Sequence, residues 1–209
     1  MLVLSLSGAS VRAADSGADP VPALLDALGG VALARPAERT AGPEVLALAS
    51  RADAALDALL RAREEGDWQI GLGIGAVRAP LPASVREIDG PAVEAAAEAA
   101  RSARRQRAST SVPVVVRAAD ERHAETAQDV EAVLCLIGWM VRTRNRGQWQ
   151  AVRALREDPG ATQSQLAERL GVTQQTVSRA VKTSGWREES AAHPLAVRLL
   201  SMIDLTSAR

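Results

Sequence analysis

The segment Trp68-Gln69-Ile70-Gly71-Leu72-Gly73-Ile74-Gly75-Ala76-Val77 constrains the fold of this chain more than any other. Strict alternation of a large aliphatic residue with glycine over six positions has the period of a β-strand, not of a helix. Ile70, Leu72 and Ile74 share one face, and Gly71, Gly73 and Gly75 the other. A glycine face leaves room for a helix or a ligand to approach the backbone closely, and close helix-on-sheet packing is the commoner occupant. The strand does not open a dinucleotide site: GLGIG lacks the G-x-G-x-x-G spacing and runs into Arg78-Ala79-Pro80-Leu81-Pro82 instead of a helix.

Around this strand, residues 2–7 read as a first buried strand, followed by the polar stretch 13–19 and a short helix over 20–28 closed by Gly29 and Gly30. Two strands, 31–35 and 44–48, flank the turn Ala41-Gly42-Pro43 and suggest a hairpin. Residues 51–65 form an amphipathic helix through Ala54, Ala55, Leu56, Leu59, Leu60 and Ala62. Gly90 and Pro91 start another helix, over 92–106, with Glu94 and Glu98 near its front and Arg101, Arg104, Arg105 and Arg107 at its back. Residues 112–117 make a last strand, and Pro113 places it at an edge or a strand start. The order predicts an α+β sandwich with helices covering one sheet. From Glu121 to Arg144 runs a long helix, apolar at Ala124, Ala127, Val130, Val133, Leu134, Ile137 and Val141. It can connect two domains or pair with a second copy of itself.

The expected organisation is a sheet domain over 1–118, a connecting or dimerising helix over 119–146, and an all-α domain over 147–209. The 209 residues are 47% apolar, ample for a packed core, yet contain no Phe and no Tyr. Leu, Val, Ile, Ala and the four Trp (Trp68, Trp139, Trp149, Trp186) must therefore fill it. Cys135 stands alone in an apolar run, so neither an internal disulfide nor a thiolate metal site forms, and a reducing cytoplasm suits it. The start MLVLSLSGASVRAAD imitates a secretory leader only loosely, without a basic region, and no stretch nears the roughly 18 apolar residues of a membrane span. His123 and His193 lack metal-like companions and read as surface residues.

Charge divides the chain. Residues 1–100 carry 8 basic and 14 acidic side chains, residues 101–209 carry 17 and 11, so only the second half suits a polyanion. That half contains a tri-helical pattern. A helix over 148–156 is broken at Asp158-Pro159-Gly160, a second spans 162–170, and a third spans 173–183. Leu166, Ala167, Leu170, Val172, Val177 and Ala180 are apolar at the spacing that packs two helices about a tight turn, with Gly171 where the turn wants positive φ. Thr173 caps the third helix, which exposes Gln174, Gln175, Thr176, Ser178, Arg179 and Lys182. Gln pairs bidentately with adenine and Arg with guanine, so Gln174, Gln175, Thr176 and Arg179 are candidates for base readout in double-stranded DNA. Thr162, Gln163, Ser178 and Lys182 are placed for phosphates. No Gly-rich hairpin follows Trp186, so a wing is not expected, and 193–203 reads as a terminal helix that packs on the motif or on a partner subunit.

In order, the GLGIG strand, the Asp89-Gly90-Pro91-Ala92 helix start and Gly171-Val172-Thr173-Gln174-Gln175-Thr176-Val177-Ser178 resemble the SatD family. The resemblance implies an N-terminal palm, or ferredoxin-like, domain related to class III nucleotidyl cyclases, and a MarR-like helix-turn-helix. In palm enzymes a first-strand Asp and a Gly-Asp-Glu-type hairpin hold two metal ions. Here the strand offers Ser5, Leu6 and Ser7 and the hairpin Gly42-Pro43-Glu44, so one carboxylate remains and no catalytic residue or metal site is expected. That leaves the domain dimerisation or ligand sensing, and apposition of Gly71, Gly73 and Gly75 to the hairpin at Gly42 and Glu44 is expected to leave a nucleotide-sized groove. A dimeric DNA-binding regulator is the leading expectation. A protein-docking helix-turn-helix and a nucleotidyl cyclase-like enzyme are the alternatives.

Overall fold

A computed structural model describes residues 1–8, 19–106 and 109–207. Most of the expected polar stretch 13–19, and Arg107 of the basic cluster, lie outside these residues. Five strands, β1 (Leu2–Gly8), β2 (Arg35–Arg39), β3 (Glu44–Ala49), β4 (Trp68–Ile74) and β5 (Val114–Ala118), form one mixed sheet in the order β2-β3-β1-β4-β5. β1 runs antiparallel to both neighbours, and β5 is an edge strand parallel to β4. β2 and β3 make the hairpin. Eight α-helices accompany them among the described residues: α1 (Val21–Leu28), α2 (Ala52–Glu65), α3 (Pro91–Gln106), α4 (Ala124–Arg142), α5 (Arg146–Glu157), α6 (Gln163–Leu170), α7 (Gln174–Thr183) and α8 (Trp186–Ser207).

Period-two geometry divides the apolar residues between the two faces of the sheet. Leu2, Leu4, Leu6, Ile70, Leu72 and Ile74 point to the larger core, completed by α1, α2, α4 and α8. Val3, Leu48 and Val115 point to the opposite face, covered by α3 through Ala92, Ala96, Ala99 and Ala103. The glycine face of β4 meets that alanine stripe. A Cβ on Gly71 would lie 2.2 Å from the Ala100 backbone nitrogen, and one on Gly73 would lie 2.2 Å from the Ala92 carbonyl oxygen. The backbone of α3 therefore occupies the space that the sequence leaves open for a ligand, and the groove expected at Gly71, Gly73 and Gly75 is filled with protein.

Several elements depart from the sequence reading, each for a tertiary reason. The strand expected over 31–35 is instead β2 at Arg35–Arg39, because Val31 is drawn into the core by a turn in which its N–H donates to Leu28 O. β4 stops at Ile74, and β5 starts two residues later than expected. Residues 121–123 form a 3₁₀ turn ahead of α4. Of the four Trp only Trp68 enters the core, while Trp139 is 60% exposed.

The apolar stripe of α4, from Ala127 through Val130, Leu134 and Ile137 to Val141, is buried within this chain, so it is no free seam for a second copy. The terminal helix begins at Trp186, earlier than expected, and contains Pro194. It does not pack on the tri-helical motif alone. Ala196, Leu200 and Ile203 of α8 join the larger core against α4 and α2.

Candidate nucleic-acid interface

α5, α6 and α7 enclose a small core of Ala154, Leu166, Ala167 and Val177, with Leu155, Leu170 and Val181 packed against it. Each helix start is fixed by its own sequence. Asn145 and Gln148 form a capping box on α5, and Thr162 and Gln165 form another on α6. Thr173 Oγ1 accepts from the Thr176 N–H at the start of α7, 3.2 Å away. Such caps satisfy amide donors that the helix itself cannot use. Between α6 and α7 the chain reverses in a Schellman turn: Gly171 has φ +65°, its N–H donates to Glu168 O, and the Val172 N–H donates to Ala167 O. That backbone is the reason for a glycine at 171.

Thr173, Gln174, Gln175, Thr176, Arg179 and Lys182 are exposed along α7, while Ser178 is half-buried. Thr162 is exposed and Gln163 half-buried at the start of α6. The side chains named for bases thus lie together at the N-terminal end and outer face of one helix. Thr162 and Thr173 already cap helices, and Thr176 Oγ1 lies 2.9 Å from Thr173 Oγ1, which orients both hydroxyls before any ligand arrives. Val172, read as a packing residue, is exposed in the turn. No strand follows α7 up to residue 207; the chain passes through Ser184 and Gly185 into α8.

A buried charge cluster, not expected from sequence, fixes the motif to the sheet domain. Arg144, between α4 and α5, and Glu189, on α8, have side chains 1% and 0% exposed and meet at 2.6 Å. Arg156 of α5 donates to Glu189 at 2.9 Å, and His193 lies 3.1 Å from the same carboxylate. His193 is therefore not the free surface residue of the sequence reading. Arg144 Nε also donates to the Ser184 carbonyl, and its guanidinium lies 4.9 Å from the centre of the Trp149 ring. Glu64 of α2 pairs with Arg153 and Arg156, completing the link to the sheet layer. Burial by itself pushes the Glu189 carboxyl up, but the hydrogen bond with His193 and the charges of Arg144 and Arg156 outweigh it and hold it down at about 2.

The other carboxylate singled out, Glu44, accepts from Arg104 Nη1 at 3.1 Å, and the same nitrogen donates to Ser7 Oγ. Among the described residues no group of three or more His, Cys, Asp or Glu side chains is placed to hold a metal ion. No described helix is long and apolar enough to cross a membrane.

Three helices closed by a left-handed turn, with a polar third helix facing outwards, define a helix-turn-helix. Residues 143–183, which contain all three helices, match the model of the MarR family, so this segment carries a MarR-type helix-turn-helix of the kind found in DNA-binding transcription regulators. No curated protein matches the chain. No solved structure matches it either.

Proposed function

We propose that this chain is a dimeric, sequence-specific regulator that binds double-stranded DNA through α7. The observation that carries the reading is the exposed end of α7, where Gln174, Gln175, Thr176 and Arg179 stand together on a helix whose start and angle are fixed by Thr173 and Gly171. Gln174, Gln175, Thr176 and Arg179 read bases, and Thr162, Gln163, Ser178 and Lys182 hold phosphates.

The N-terminal domain serves as a platform without catalysis of its own. Its first four strands lie in the order β2-β3-β1-β4 with α1 and α2 on one face, an arrangement compatible with a palm or ferredoxin-like unit. Glu44, the one carboxylate near the palm positions, is neutralised by Arg104. A nucleotide effector finds no support at Gly71 and Gly73, whose face α3 fills. A single small module neutralises few phosphates and binds weakly, which favours a dimer. The outer faces of α4 and α8 offer the surface for it. Leu136, Trp139, Leu195, Met202 and Leu205 are exposed on two adjacent antiparallel helices, and a two-fold axis would pair such a face with its own copy. A soluble cytoplasmic regulator with one reduced thiol, Cys135, fits these features.

Selection of bound sequences from a random duplex pool at fixed salt, wild type beside Arg179→Ala, tests the proposal. A two-fold-related motif that relaxes in the variant supports it, and light scattering should give twice the 21.9 kDa chain mass, falling to one in Trp139→Glu. Failure of the wild type to enrich any motif overturns the DNA reading in favour of a protein-docking surface.

A further inference from the structure

A cavity of about 290 Å³ opens where the chain leaves the sheet domain for the helix-turn-helix, between the end of α2, the end of α4 and the start of α5. Its walls include Arg63, Arg142, Arg144 and Arg146, the indole of Trp149, and the carboxylate of Asp67. Glu64 also lines it, but Arg153 and Arg156 already occupy that carboxylate. Four arginines therefore line the cavity beside two carboxylates; Glu64 is engaged by Arg153 and Arg156, and Arg144 by Glu189, which leaves Arg63, Arg142 and Arg146 beside Asp67.

Arg63 makes this more than a basic surface. It is only 8% exposed, and its Nε and Nη2 have no hydrogen-bond partner. Burial pushes its guanidinium down to about 10, against the opposing influence of Asp67 and Cys135. Arg144, still more deeply buried, likewise has Nη1 without a partner. Unpartnered donors on a buried charge are costly, and the fork of a guanidinium matches the oxygens of carboxylate or phosphate. The N-terminal end of α5, whose first residue Arg146 lines the cavity, adds the positive end of a helix dipole.

We propose that this cavity is a binding site for a small oxyanion-bearing metabolite, a phosphate monoester or a carboxylate, held by Arg63 and Arg144 from inside and by Arg146 at the mouth. The volume, just under the range of about 300–1,000 Å³ usual for ligand pockets, limits the occupant to a compact molecule. Trp149 supplies an apolar wall for its non-ionic part. The binding claim stands independently of the DNA reading, and an occupant here would touch both the sheet domain and the first helix of the motif.

The test is calorimetry and thermal unfolding of the full chain, without DNA, titrated with inorganic phosphate in one arm and succinate in the other, at ionic strength held constant with sodium chloride. At least one anion should bind at a single saturable site and raise the midpoint, and the arm that responds names the class. Arg63→Met should weaken binding by about tenfold or more, Arg146→Ala should do so too, and Arg104→Ala, on the opposite face of the sheet, should leave it unchanged. If Arg63→Met does not fold, the exposed Arg146→Ala decides. Absence of saturable binding in both arms, or binding undiminished in the arginine variants, overturns the proposal. Displacement of the anion by short duplex DNA would make the site a backbone phosphate contact and overturn the metabolite assignment.

Discussion

Glu189→Gln removes one charge from the cluster that holds the helix-turn-helix and changes almost nothing in volume. In the wild type the carboxylate meets Arg144 at 2.6 Å, Arg156 at 2.9 Å and His193 at 3.1 Å, with no part of the Glu189 side chain exposed. The amide keeps one acceptor but turns an NH₂ group towards guanidinium donors, and Arg144 stays buried with its charge uncompensated. Breaking a buried pair from one side costs roughly 3–5 kcal/mol, much more than the pair is worth against an apolar replacement. A second route gives a similar magnitude. The Glu189 carboxyl is held at about 2 against an ordinary value of 4.5, and at about 1.4 kcal/mol per unit this corresponds to about 3 kcal/mol.

The same shift fixes the pH dependence. A carboxyl depressed in the folded state binds fewer protons there than in the unfolded chain, so its stabilisation is complete above the ordinary value and is lost as pH falls through the folded one. Wild type and Glu189→Gln should therefore differ by about 3 kcal/mol at pH 7 and converge between about pH 5 and pH 2. Urea unfolding followed by far-ultraviolet dichroism and by tryptophan fluorescence measures the difference, provided the two probes coincide. Glu157→Gln, which loses a solvated pair with Arg169, is the control and should cost under about 1 kcal/mol. A Glu189→Gln cost below about 1 kcal/mol, or one that does not shrink in acid, would refute the account of the cluster.

Two further substitutions and one truncation probe the backbone and the packing. Gly73→Ala puts a methyl 2.2 Å from the Ala92 carbonyl oxygen and 2.3 Å from the Ala96 nitrogen; both are backbone, so α3 must move away as a body, at a cost of roughly 1–3 kcal/mol or more read from the urea midpoint. Gly42→Ala, with nothing within 4 Å but φ +52°, should cost about 1 kcal/mol by backbone strain alone. A chain ended after residue 146 lacks Ala196, Leu200 and Ile203, all fully buried. At roughly 1.5–3 kcal/mol for each large side chain, it should show no cooperative thermal transition, whereas a sharp one would make α8 dispensable.

The parts of the structure that local spacing dictates were legible in the sequence. The Ile-Gly alternation of β4 fixes both its period and the close approach of a helix, and Gly171 with Thr173 fixes the turn and the start of α7. What could not be read depends on partners remote along the chain. Glu189 stands in the charged run Trp186-Arg187-Glu188-Glu189-Ser190, which looks like a solvated helix start, and its partner Arg144 lies 45 residues earlier. The core positions of α8, Ala196, Leu200 and Ile203, stand among further apolar residues, Leu195, Val197, Leu199, Met202 and Leu205, so the sequence shows a terminal helix but not which of its faces is covered, or by what. Val31 looks like a strand residue because β-branching favours strands, but burial in the core overrides that preference. Of the cavity residues, Arg142, Arg144 and Arg146 alternate within one short run, but Arg63 comes from a remote helix, and nothing in the sequence joins it to them.

The helix-turn-helix is an excursion between two paired helices, not an appendage at the end of a linker. α4 leads out to it and α8 leads back. These helices lie antiparallel, with His123 bonded to Thr206 at one end and Arg144 to Glu189 at the other. Both crossings of the chain into the motif are tied together within one buried ion pair, and Arg144 additionally holds the Ser184 carbonyl at the end of α7. A motif joined by one strand can swivel freely, whereas two crossings locked side by side allow rotation only if the pair separates. The angle of α7 to the sheet domain is therefore set by the charge cluster. Its neighbour, the arginine-lined cavity, shares Arg144 with it. Any anion that drew Arg144 towards the cavity would compete with Glu189 for the same guanidinium. In that geometry a change at the neck reaches α7 through a shared side chain, without passing through the sheet.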